Sequence, residues 1–206
     1  MNFFKSEFLQ LVSNYTTDVE TQKLCWNEIE MAYSGKKRFY HNLNHLDFIL
    51  DKLQPLKNQF KEWRIIVFAI AYHDFVYDVL KSDNEEKSAS YAAEKLKKLG
   101  VQAERIENCK ELILATKKHL PSDNEVNLFT DADLSILGSE TDVYQMYTDN
   151  IRREYSIFPS LVYNHGRKKV VEHFLEMERI FKSDEFYEKF EMLARDNMEG
   201  ELLSLK

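Results

Sequence analysis

Apolar residues recur along this chain at the three- and four-residue spacing of amphipathic helices, separated by short polar breaks. Phe4, Phe8, Leu11 and Val12 make a short first helix, interrupted by Asn14 to Thr17. A second helix starts after Asp18 as its N-cap, carries Cys25, Trp26, Ile29, Ala32 and Tyr33 on its inner stripe, and ends at Gly35. Asn42 or Asn44 caps a third, which turns Leu46, Ile49, Leu50 and Leu53 inward and is closed by Pro55. The pattern then changes. From about Lys61 the chain enters a helix in which Ile65 to Ala71 is apolar without a break, the mark of burial on most of the circumference. This run leads into AIAYHDFVYD, where His73 and Asp74 stand side by side.

Ser82 or Asp83 caps the next helix, whose first turn holds Glu85 and Glu86 and which ends at Gly100. Ile106, Cys109, Leu112, Ile113 and Thr116 stripe a helix from Gln102 to Lys118, and Pro121 to Asn127 reads as a polar loop. A short helix follows, capped by Asp131, bearing Asp133, Leu134, Ile136 and Leu137, and stopped by Gly138. Thr141 or Asp142 starts another with Val143, Met146, Tyr147, Ile151 and Tyr155, which Pro159 breaks. Two more stripes occupy Gly166 to Phe181 and Glu185 to Leu203. The expectation is an all-α protein of about ten helices. Only five glycines and three prolines among 206 residues fit that class, and the length suits a single domain with a substantial core.

A formal charge of −7 disfavours general binding to nucleic acid or an anionic membrane, both of which require concentrated Lys and Arg. No apolar stretch reaches the roughly 18 residues of a membrane span, and MNFFKSEFLQ lacks a signal-peptide pattern. Cys25 and Cys109 lie at apolar helix positions outside any CxxC spacing and read as free thiols of a reducing compartment. A cytoplasmic protein is expected. The sequence contains no internal repeat, glycine-rich phosphate loop or nucleophile elbow.

The candidate chemistry lies where ligand-type side chains enter apolar settings. A buried carboxylate needs a cation or several donors, so Asp74 needs partners. The dipeptide alone reads most simply as a structural hydrogen-bonded pair. In RFYHNLNH, however, His41 and His45 stand four residues apart at a helix start, with Arg38 and two aromatics before them, and Asp133 sits in an apolar turn. His45, His73, Asp74 and Asp133 make two imidazoles and two carboxylates, a set for one tightly held divalent ion such as manganese, iron, zinc, cobalt or magnesium. Lys117, Lys118 and His119 close a helix, where cations also suit the dipole.

These contexts together resemble the HD-domain superfamily of metal-dependent phosphohydrolases, in particular a branch of small bacterial proteins. RFYHNLNH is similar to the YHNxxH of such proteins, and AIAYHDFVYD, DNEEKSA and DADLSILG look like that branch, as do IRREY and HGRKKVVEHFL. The resemblance implies an all-α HD-type domain over 1–206, with a motif core of about 38–138 and the helices of 140–206 packed on it. It implies metal ligation by His45, His73, Asp74 and Asp133, with Asp131 as the competing choice for the last. It also implies His41 as general acid, and hydrolysis of a small phosphate ester by metal-activated water. Asp74 or Glu85 would take the water's proton; Arg38, Lys117, Lys118 or His119 would hold phosphate. Asn84 stands where many two-metal members carry a histidine. The alternatives on the same fold are an iron-dependent oxygenase and a non-catalytic sensor of nucleotide or metal.

Overall fold

Stripes separated by Asp, Asn, Gly and Pro produce helices alone. Among the described residues, 3–205, the computed structural model contains ten α-helices, two 3-10 turns and no strand. The chain forms two compact units, one ending at Leu120 and the other beginning at Pro121. The first holds α1 (Phe3–Ser13), α2 (Val19–Tyr33), α3 (Leu43–Leu53), a 3-10 turn (Gln54–Gln59), α4 (Trp63–Tyr72), α5 (Asn84–Lys98) and α6 (Ala103–Ala115). The second holds α7 (Asn124–Leu134), a 3-10 turn (Ser135–Gly138), α8 (Thr141–Glu154), α9 (Ser160–Glu176) and α10 (Asp184–Ser204). The boundary runs inside the 38–138 stretch. No helix among the described residues is long and apolar enough to cross a membrane.

In the first unit α4 is the axis. Every residue from Ile65 to Tyr72 is buried, and α1, α3, α5 and α6 all pack on it. An all-round apolar helix is stable only with neighbours on every side, which the flanking amphipathic stripes provide. Phe8 of α1 meets Phe68 edge to face with ring centroids 6.2 Å apart, and Phe4, Trp26 and Ile29 close the same layer. Helix starts follow local chemistry: Asp18 accepts from the amides of Glu20 and Thr21, and Asn42 accepts from that of Asn44. The Asp47 carboxylate of α3 accepts the otherwise orphan Phe4 amide at 2.7 Å, joining α3 to the start of α1. Of the two free cysteines, Cys109 is buried and Cys25 half-buried.

Several boundaries differ from the expectation. Pro55 closes α3 at Leu53 as expected, but the chain continues as a 3-10 turn with Pro55 in its first turn, where its missing N–H costs nothing. Asp123 caps α7 by accepting from the Val126 amide, so the helix begins seven residues before Asp131, which lies in its interior. On α8 the buried face is Tyr144, Thr148, Ile151 and Glu154, one position away from the apolar stripe, and Met146 is exposed. A polar network explains the rotation. Glu201 of α10 receives a bidentate bond from Arg167 of α9 at 2.7 and 2.9 Å, and the Tyr144 hydroxyl donates to the same carboxylate. Arg167 therefore pairs with an acid in the interior, not at the surface. α9 starts at Ser160 and ends at Glu176, which leaves Ile180 in the following linker, buried.

Within the second unit α10 passes so close to the Ser135–Gly138 turn that a Cβ at position 138 would lie 2.5 Å from the Phe190 carbonyl oxygen. That approach requires glycine. Gly166, in the middle of α9, faces open space instead. Gly138→Ala should destabilise the protein by about 1–3 kcal/mol through overpacking, whereas Gly166→Ala should stabilise it by about 0.5–1 kcal/mol through helix propensity. Denaturant unfolding of the two variants beside wild type tests both signs.

Candidate functional site

The site is built from the end of α4 outward. The helix stops at Tyr72, and His73 is its C-cap, with its backbone amide still bonded to the Ala69 carbonyl. His73 and Asp74 thus lie just beyond the last residue of the helix. The last carbonyls of any helix lack amide partners. Here the His73 ring supplies one, with Nδ1 2.9 Å from the Ile70 carbonyl oxygen. A carbonyl only accepts, so Nδ1 carries a proton, and in the neutral ring Nε2 then carries a lone pair.

His73 Nε2 faces two further groups. His45 Nε2, from the first turn of α3, is 3.2 Å away, and Asp74 Oδ2 is also 3.2 Å away. His45 Nε2 and Asp74 Oδ2 are 3.9 Å apart. Both imidazoles are buried, while the Asp74 side chain keeps 19% of its surface in solvent and gives the cluster an opening. His41, just before α3, places Nε2 3.8 Å from the same carboxylate oxygen. Burial alone would raise the Asp74 pKa; the imidazoles of His73, His41 and His45, when protonated, outweigh it and hold the carboxyl well below the usual range.

The donor set fits a metal ion. One ligand atom from each of His45, His73 and Asp74 lies within 4.8 Å of the other two. Donors bound at about 2.1 Å to one ion stand about 3.0 Å apart at an octahedral edge and about 3.4 Å at a tetrahedral one. Two of the three separations fall in that interval, and the wider one involves the carboxylate, the most exposed group and the one with room to turn. Two ring nitrogens and a carboxylate oxygen suit borderline divalent ions. The carbonyl bond on Nδ1 of His73 is the outer contact that orients a ligand histidine.

The loop and turn around these donors are held by groups that sequence reasoning missed or misassigned. Arg38, read as a phosphate ligand, donates to the carbonyl oxygens of His41 (3.2 Å), Asp74 (2.8 Å) and Phe75 (3.0 Å). Its guanidinium lies over the rings of Tyr33 and Tyr77. The Tyr33 hydroxyl accepts the Asp74 amide at 3.2 Å, and the Tyr77 ring stacks on His41 at 4.4 Å. Tyr33 had only a core stripe as its signal, and no spacing rule pairs Arg38 with carbonyls some 36 residues away.

Glu85 and Glu86 open α5 and pair with Lys117, at 3.6 and 2.5 Å, and Lys117 also donates to the Ser82 carbonyl. That cation is thus paired with acids and a backbone oxygen. Lys118 is exposed, and His119 follows with a left-handed φ of 48°. Asn84 brackets Asp78, accepting its amide at 3.1 Å and donating to its carbonyl at 3.0 Å. The Asp78 carboxylate accepts from the Leu80 amide at 2.9 Å. Asp133 lies half-buried on α7 of the second unit. Asp131 is buried and accepts from the Lys182 amide, the Ser183 amide and the Ser183 hydroxyl at 2.9, 2.7 and 2.6 Å. It anchors the entry to α10 and is no cap of its own helix.

No protein-family model, curated protein or solved structure matches the chain.

Asp131→Asn would replace one acceptor oxygen with an NH2 group that confronts the Lys182 or Ser183 amide. A loss of about 1–3 kcal/mol is expected from the unsatisfied donor. Denaturant unfolding measures it, and the metal content of the folded variant should equal that of wild type.

Proposed function

We propose that His45, His73 and Asp74 hold a divalent metal ion and that the protein hydrolyses a small phosphate ester, the activity implied by the resemblance to HD phosphohydrolases. The observation that carries the reading is the tautomer of His73. Its Nε2 presents a lone pair to a second imidazole and a carboxylate, and such a convergence of electron pairs favours a cation between them. In the neutral ring the one N–H of His73 is directed at Ile70, so Nε2 has no proton to give the carboxylate and is open to a cation.

A bound divalent ion would supply hydroxide near neutral pH by lowering the pKa of its water and would polarise a phosphoryl oxygen. The chain's own residues do the rest. Asp74 opens to solvent and accepts a proton or orients the attacking water. His41 lies beside the Asp74 carboxylate, whose charge favours the imidazolium, and is placed to donate a proton to the leaving oxygen. Tyr77, stacked on His41, fixes the plane of the acid. The substrate is a nucleotide or another small phosphorylated metabolite. An iron oxygenase would call for more histidines, and Asn84, in the position where one is expected, has both ends of its amide on the Asp78 backbone.

Elemental analysis of protein purified without chelator or affinity metal should give about one ion per chain, and phosphate release from a phosphoester panel should require manganese, iron, zinc, cobalt or magnesium. His73→Ala and Asp74→Ala should each lose both metal and turnover while circular dichroism shows the helices retained. Normal metal content in both would end the assignment.

His41→Ala should keep its metal and slow the reaction by about 10²–10⁴-fold, the usual contribution of a general acid. Loss of metal in that variant would mean that His41 is itself a ligand. Tight nucleotide binding by wild type without phosphate release would favour the sensor.

A further inference from the structure

We propose that Arg38 is a positioning residue that clamps the two halves of the donor set together, joining the loop that delivers His41 and His45 to the turn that delivers His73 and Asp74. The proposal rests on the metal-site reading above and concerns how the chain keeps the donors converged.

The donors come from two segments about thirty residues apart in sequence, and the residues nearest solvent, His41 and Asp74, stand outside the helices that carry their neighbours. Backbone beyond a helix end loses its ladder partners and needs others. One nitrogen of Arg38, Nη1, bonds the carbonyls of His41 and Asp74 together, and Nη2 extends the grip to Phe75. The guanidinium plane is held over Tyr33 and Tyr77. Each of those rings also touches the site directly, Tyr33 through the Asp74 amide and Tyr77 through the His41 ring. A planar fork with five donors fits carbonyls on both segments and two aromatic faces at once; an ammonium group offers neither the plane nor the reach.

The clamp and a merely electrostatic effect predict opposite signs. Arg38 is a cation bonded to neutral carbonyls, so by charge alone it repels an incoming metal ion, and its removal would tighten binding. As a clamp it holds the ligands in register, and its removal loosens binding.

The test is Co2+ titration of wild type, Arg38→Met and Arg38→Lys, read by calorimetry and by the visible ligand-field bands of cobalt. Both variants should bind Co2+ about ten- to a hundredfold more weakly, the usual effect of losing an outer contact to a metal site, with altered bands and unchanged far-ultraviolet circular dichroism. In Arg38→Ala, millimolar guanidinium should restore affinity where methylammonium does not. Unchanged or tighter Co2+ binding in Arg38→Met would overturn the proposal, as would a higher KM for a phosphoester with metal affinity intact. Should the Arg38 variants fail to fold, Tyr77→Leu carries the test: severalfold weaker Co2+ binding is expected, and wild-type affinity overturns the clamp. Failure of wild type itself to bind Co2+ is a different result and withdraws the metal site along with the clamp.

Discussion

The hydrogen bond from His73 Nδ1–H to the Ile70 carbonyl is the constraint on which the candidate site depends. It originates in helix termination. A helix leaves its last carbonyls without partners, and a side chain at the C-cap satisfies one of them. Because the acceptor has no proton to give, the bond also selects the tautomer and aims Nε2 at His45 and Asp74. The end of α4 adds a second effect, since the C-terminal pole of a helix is negative and Asp74 deepens that potential. One local event, the stopping of a helix, thus sets the direction of a donor and the sign of charge that the place prefers.

Precision comes from the core behind it. α4 is buried from Ile65 to Tyr72, so the position of its last turn is fixed by packing on α1, α3, α5 and α6. α3 lies against α4 and brings His45 from its first turn, where Asn42 fixes the helix start. Donors mounted at the ends of packed helices move less than donors on free loops, which is what convergence within a few ångströms requires. The two groups beyond the helices, His41 and Asp74, are reached by Arg38, Tyr33 and Tyr77. The rigid half of the site therefore rests on apolar packing and the exposed half on polar and aromatic contacts.

Legibility followed the range of the interactions. Capping by Asp18 and Asn42 and the stripes of α1, α2, α3 and α6 depend on neighbours a few residues away, and periodicity reports them directly. The partners of a ligand residue were legible by type, because histidine and aspartate in apolar surroundings demand explanation; His41, His45, His73 and Asp74 do come together. What periodicity misses is set at long range. The end of α4 at Tyr72 is decided by a side chain capping a carbonyl, the rotation of α8 by a buried Arg167–Glu201 pair, and the role of Asp131 by two amides some fifty residues away. The carbonyl contacts of Arg38 were illegible for the same reason: its charge suggests an anion, and its partners on the 74–75 turn are some 36 residues away.

Partners, more than burial, separate the structural acids of this protein from the one assigned chemistry. Asp47 holds the Phe4 amide, Asp131 holds two amides and a hydroxyl, and Glu191 holds the Ile180 and Phe181 amides together with Arg195. Each faces N–H or O–H groups whose protons are fixed by covalent structure, so each is neutralised in place and needs nothing from outside. Asp74 faces imidazole Nε2 atoms, whose protons are conditional, and one of those rings directs its Nδ1 proton away to Ile70. A carboxylate so placed stays negative toward its own pocket until a proton or a metal ion enters. That distinction rests on the direction of a hydrogen bond, and it gives Asp74 a different standing from equally enclosed acids elsewhere in the same chain.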